Sequence, residues 1–98
     1  MTLVNEIQQL SHPYKRKGGK RNRKKQVGRM LIFAEFASKT GAKYMGQVGA
    51  AHVIGFWKTK RNLSDTTLKG YWYSLCTLWE LSGKTGEPPK PFYKSKLE

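Results

Sequence analysis

The sequence predicts an all-α fold, a small bundle of about four helices carrying a basic N-terminal arm. Three observations predict it. Apolar residues recur at helical spacing in four separate stretches. Gly, Pro and Ser punctuate the gaps between those stretches. No run alternates apolar and polar residues in the manner of a half-buried strand. At 98 residues the chain can bury one modest core.

Leu3, Val4, Ile7 and Leu10 share one face of a short first helix, with Thr2 as its N-cap and Ser11-His12-Pro13 as its end. Residues 15–20, which include Gly18-Gly19, read as a mobile basic linker, so 1–19 form a short helix and a flexible basic arm. The second helix spans 20–39. Val27, Met30, Leu31, Ala34 and Ala37 make its stripe, Phe33 and Phe36 widen it, and Gly41 stops it. Residues 42–47 read as a loop. The third helix opens at Gly49 and runs to about residue 60, with Val48 and Val53 in the positions of a hydrophobic staple. Val53, Phe56 and Trp57 face inward. The fourth helix has Ser64 as N-cap, Asp65 in its first turn and Leu63 with Leu68 as a second staple. Leu68, Tyr71, Trp72, Leu75, Leu78 and Trp79 form its stripe, and Gly83 ends it. Residues 85–93 carry Pro88, Pro89 and Pro91 and read as an extended exit linker. The helical domain thus spans 20–93, and 94–98 read as a truncated linker or an added tail.

Charge supplies the functional signal. Lys and Arg number 19 against 6 Asp and Glu, for a net charge of +13. Nine of the fifteen residues at 15–29 are basic and none is acidic. A solvated helical face normally mixes signs, because opposite charges at i,i+4 stabilise by about 0.2–0.5 kcal/mol per pair. Here Lys20–Lys24, Arg21–Lys25 and Lys25–Arg29 are all repulsive, and they crowd a helix N-terminus that disfavours cations. The free fold is harmed by this placement, which points to a polyanion as partner. The opening turns of the second helix are therefore expected to fray alone and to order on that partner. Lys20, Arg21, Lys24 and Lys25 are assigned to phosphates. Arg29 lies further into the helix, and an arginine there can pair bidentately with guanine in a major groove. A second cluster surrounds the start of the fourth helix, where Lys58, Lys60 and Arg61 precede Thr66, Thr67 and Lys69.

Other chemistry finds little footing. Cys76 is the single cysteine, which fits a reducing, intracellular setting and allows no intrachain disulfide. Residues 1–12 lack the apolar run of a signal peptide, and no window has the length of a membrane span. His12 and His52 have no partner at metal-ligand spacing, and the carboxylates are scattered. No catalytic residue, metal or cofactor is expected. The spacing of Phe33, Phe36, Phe56, Trp57, Tyr71, Trp72 and Trp79 assigns them to the core rather than to base stacking.

Two stretches in order carry a family resemblance. The first is Val27-Gly-Arg-Met-Leu-Ile-Phe-Ala-Glu-Phe-Ala-Ser-Lys-Thr-Gly41. The second is His52-Val-Ile-Gly-Phe-Trp57, then Leu63-Ser64-Asp-Thr-Thr67-Leu68, Leu75-Cys-Thr-Leu-Trp79 and Gly83-Lys-Thr-Gly86. Together they resemble the N-terminal core-binding, SAM-like domain of phage integrases and other tyrosine recombinases, over about residues 20–92. Cys76, Thr77 and Gly70 depart from that family's pattern. The resemblance implies a four-helix bundle that clamps one side of a double-stranded DNA recombination site, with the second and fourth helices facing the major groove. It also implies that strand cleavage belongs to a separate C-terminal catalytic domain, so this chain alone binds DNA without cutting it. A free monomer in the cytoplasm, nucleoid-associated through DNA, is expected. An RNA-binding small basic helical protein is the alternative, sharing the same charge and size. Two further readings use the basic run for targeting only, or set it on a membrane surface. The second needs an exposed apolar face, which the core claims.

Overall fold

The computed structural model describes the backbone at residues 2–16 and 20–91 and the side chains at 2–14 and 22–91. Four α-helices follow in order: α1, Leu3–Arg16; α2, Lys20–Lys39; α3, Ala50–Thr59; and α4, Asp65–Ser82. A 3₁₀ turn, Met45–Gln47, precedes α3. Among the described residues there is no strand.

The caps explain the boundaries. Thr2 opens α1, its Oγ1 accepting the Asn5 N–H at 3.1 Å. Gly49 caps α3, and its N–H donates to His52 Nδ1 at 3.1 Å. Ser64 Oγ accepts the Thr67 N–H at 3.3 Å at the start of α4. Gly83 closes α4 in the left-handed conformation with φ 77°, which costs an L side chain and suits Gly. The four residues at the expected staple positions join the core, with Val48, Val53 and Leu68 buried and Leu63 half-buried against it.

α1 corrects the expected short helix in two ways. It runs through Pro13 to Arg16, so Lys15 and Arg16 are helical rather than linker. Proline removes one helical N–H, but the neighbouring turn is anchored from outside. The Tyr14 hydroxyl donates to Gln26 Oε1 at 2.5 Å, and the Tyr14 carbonyl accepts from Arg23 Nη1 at 3.4 Å. The Arg23 guanidinium also lies 4.3 Å from the Tyr14 ring centroid. These contacts tie α2 at Arg23 and Gln26 to the end of α1. α1 is also part of the core rather than an appendage, because Leu3 and Ile7 are buried against the other helices. Ser11 is buried too, its hydroxyl donating to the Ile7 carbonyl at 2.8 Å. The expected flexibility at 17–19 and the tail at 94–98 lie outside the described residues.

The core joins Phe33 of α2 to Phe56 and Trp57 of α3 and to Leu75, Leu78 and Trp79 of α4. Phe33 and Phe56 meet edge to face, with ring centroids 5.3 Å apart. Ala42 and Met45, in the expected loop, are buried as well. Glu6 of α1 holds that turn in place, its Oε1 accepting the Met45 N–H at 2.8 Å.

The exit segment is docked rather than a free linker. Trp57 Nε1 donates to the Pro89 carbonyl at 2.9 Å, and Trp72 Nε1 to the Pro88 carbonyl at 3.0 Å. Pro88 and Pro91 are buried. Trp72→Phe removes the indole donor and leaves the Pro88 carbonyl unpaired, at an expected cost of about 1–3 kcal/mol. Thermal unfolding measures this as a drop of several degrees in Tm; an unchanged Tm would mean the segment does not depend on that bond.

Candidate nucleic-acid interface

The first cluster divides around α2. Successive helical residues turn by about 100°, so Lys24 and Lys25 point to different flanks. Both are exposed. Lys25 lies one turn before Arg29 on the flank beside α4, whereas Lys24 lies on the other side of the outer face. The backbones of Lys20 and Arg21 form the first turn, and their side chains lie outside the described residues.

Arg29 is half-buried where α2 passes α4. Its guanidinium carbon lies 5.8 Å from the Tyr71 ring centroid. The same end of the side chain covers Gly70, where an added β-carbon would meet Cζ and Nη1 at 3.1 Å. One turn earlier on α2, Gln26 Oε1 accepts from Thr77 Oγ1 of α4 at 3.4 Å. Gln26 with Thr77 and Arg29 with Gly70 set the two helices antiparallel along this flank. On α4 the exposed Thr66 and Tyr73 lie within about 60° of Gly70 around the helix, and exposed Lys69 lies one turn before Tyr73 on the same outer face.

The second cluster is partly committed to structure. Lys58 and Arg61 are exposed, and Lys60 is half-buried with its ammonium 5.5 Å from the Phe56 ring centroid. Thr67 belongs to the cap: its N–H donates to Ser64 Oγ, and its hydroxyl accepts from Ser64 at 3.0 Å. Phe56 and Tyr71 are in turn 5.7 Å apart. One aromatic pair therefore links Arg29 of the first cluster to Lys60 of the second, although about thirty residues separate them. Gln26, Tyr73 and Thr77 join this surface without having been singled out for it. Their signal was the flank they share with Arg29 and Gly70 on helical wheels of α2 and α4.

Elsewhere the molecule offers little chemistry. Among the described residues no three His, Cys, Asp or Glu side chains come together to hold a metal, and no helix is long and apolar enough to cross a membrane. Burial pushes the Cys76 thiol above its usual range, and Glu87 and Glu80 reinforce this against an opposing Lys90. The folded state therefore favours the neutral thiol. Its contribution to stability is full below the ordinary thiol value and is lost as the pH rises past the raised one. At pH 8, alkylation of Cys76 is expected to be several-fold slower in the native protein than in guanidinium, because the thiolate is the reacting form; equal rates would contradict this.

No protein-family model, curated protein or solved structure matches the chain.

Proposed function

We propose that this chain is a duplex-DNA-binding module, the core-binding domain of a site-specific tyrosine recombinase. The observation that carries the reading is the α2–α4 flank. Exposed Lys25 and half-buried Arg29 of α2 run along it, Gly70 and Thr77 of α4 meet α2 there, and exposed Thr66 and Tyr73 continue the outer side of α4. A major groove admits a single helix, so one helix of the pair can enter it while the cations and hydroxyls of the other face the flanking backbone. Phosphates are served by Lys20, Arg21, Lys24 and Lys25, by Lys58, Lys60 and Arg61 at the end of α3, and by Lys69 on the outer face of α4. Thr66 adds a hydroxyl and Thr67 holds the helix start. Cleavage and rejoining belong to a catalytic domain that acts with this module.

Binding to mixed-sequence duplex DNA and to a structured RNA of equal length, at matched salt, tests the reading. A-form RNA has a deep, narrow major groove closed to helices. The duplex is expected to bind more tightly. Equal or tighter RNA binding would favour the RNA-binding alternative instead.

A further inference from the structure

Gly70 breaks the helix rule at a costly place. A glycine inside a helix is destabilising relative to alanine, because it has more backbone freedom to lose. Nothing in the α4 backbone calls for it, since α4 is continuous from Asp65 to Ser82. What meets the vacant β-position is the end of one side chain. An added carbon would stand 3.1 Å from Arg29 Cζ and Nη1 and 3.2 Å from Nη2, tighter than ordinary van der Waals contact. The glycine leaves a flat seat on α4, and the guanidinium plane of Arg29 occupies it.

The manner of holding matters as much as the place. Arg29 sits near the Tyr71 ring, 5.8 Å from its centroid. Tyr71 is fixed edge-on against the core ring of Phe56 at 5.7 Å. Neither contact uses an N–H group. By contrast, Arg23 spends a donor on the Tyr14 carbonyl. An arginine held by shape and by an aromatic ring keeps its fork of five donors for a ligand, with less rotamer freedom to lose on binding.

We infer that Gly70 and Tyr71 are positioning residues that seat Arg29 for bidentate pairing with two adjacent acceptors on the duplex. This rests on the duplex-binding reading above. The acceptors are O6 and N7 of a guanine or two oxygens of a phosphate, chemistries that a planar fork serves equally. The seat exchanges helix stability for a preset arginine.

The test pairs Gly70→Leu and the milder Gly70→Ala with thermal unfolding and duplex titration, each in the native and the Arg29→Ala background. Both variants should melt at or above the native Tm, since each restores helix propensity. Duplex affinity should fall by about fivefold or more for Gly70→Leu, and by less for Gly70→Ala. In the Arg29→Ala background neither change should alter affinity. Repeating the titration with guanine replaced by 7-deazaguanine separates the two sources. A Gly70→Leu loss that disappears on that duplex assigns Arg29 to guanine, and a loss that persists assigns it to phosphate. Native affinity in a folded Gly70→Leu protein, or a loss that survives in the Arg29→Ala background, would overturn the seat while leaving duplex binding standing. No duplex binding by the native protein would remove both.

Discussion

Trp57→Ala is expected to lower the melting temperature by roughly 12–40 °C, from a cost of about 3–5 kcal/mol. Three observations converge on this side chain. It is only 1% exposed, it packs against Phe56 with centroids 5.4 Å apart, and its indole N–H holds the Pro89 carbonyl. Truncation therefore opens a cavity and releases the exit segment together. A domain of this size has about 5–15 kcal/mol of stability in total, so the loss takes a large share of it. Tyr73→Ala is the internal control. Tyr73 is 50% exposed, and its removal should stay within about 0.5 kcal/mol. Circular dichroism melts of the two proteins read the difference directly. Similar melting temperatures would mean that the core is organised around other residues.

The second large effect is electrostatic, and its two readouts have opposite signs. Replacing Lys20, Arg21, Lys24 and Lys25 together by Ala removes the i,i+4 repulsions along the start of α2, worth about 0.2–0.5 kcal/mol per pair. It also relieves cations at a helix N-terminus. The variant should be at least as stable as the native protein. Its duplex affinity should nevertheless fall steeply. The slope of log affinity against log salt should flatten by about one for each lost phosphate contact, and by up to about four in all. If the run served targeting alone, affinity and slope would both stay at native values.

Much of the bundle is legible in the sequence because its boundaries are chemical. Ser64 and Gly83 mark the ends of α4 through bonds that any helix terminus needs, and Gly49 and the stapling valines do the same at the start of α3. Where boundaries depend on distant partners, local rules mislead. Pro13 reads as a terminator until Gln26 and Arg23, on another helix, anchor Tyr14 beyond it. Residues 85–91 read as a linker because nothing local reveals that Trp57 and Trp72 will bond the Pro89 and Pro88 carbonyls. Ala42 and Met45 enter the core without periodicity, since a 3₁₀ turn offers too few residues to show any.

The candidate site is legible in kind and less so in layout. Density of charge singles out the start of α2. It does not reveal that helical geometry sends Lys24 and Lys25 to different flanks, or that Lys60 and Thr67 are half-absorbed by an aromatic contact and a cap. Gly70 shows the limit most clearly. Along the chain it is an anomaly in a helix, and only the approach of Arg29 from α2 supplies a reason for it.

The proposed grip on duplex DNA runs through its phosphates. Fluorescence-anisotropy titration of the native protein with a mixed-sequence duplex at about 50 and 200 mM salt tests it most directly. Clear binding is expected at the lower salt, with a log–log slope of about −4 or steeper between the two. Absence of binding at both concentrations, or binding indifferent to salt, would contradict it.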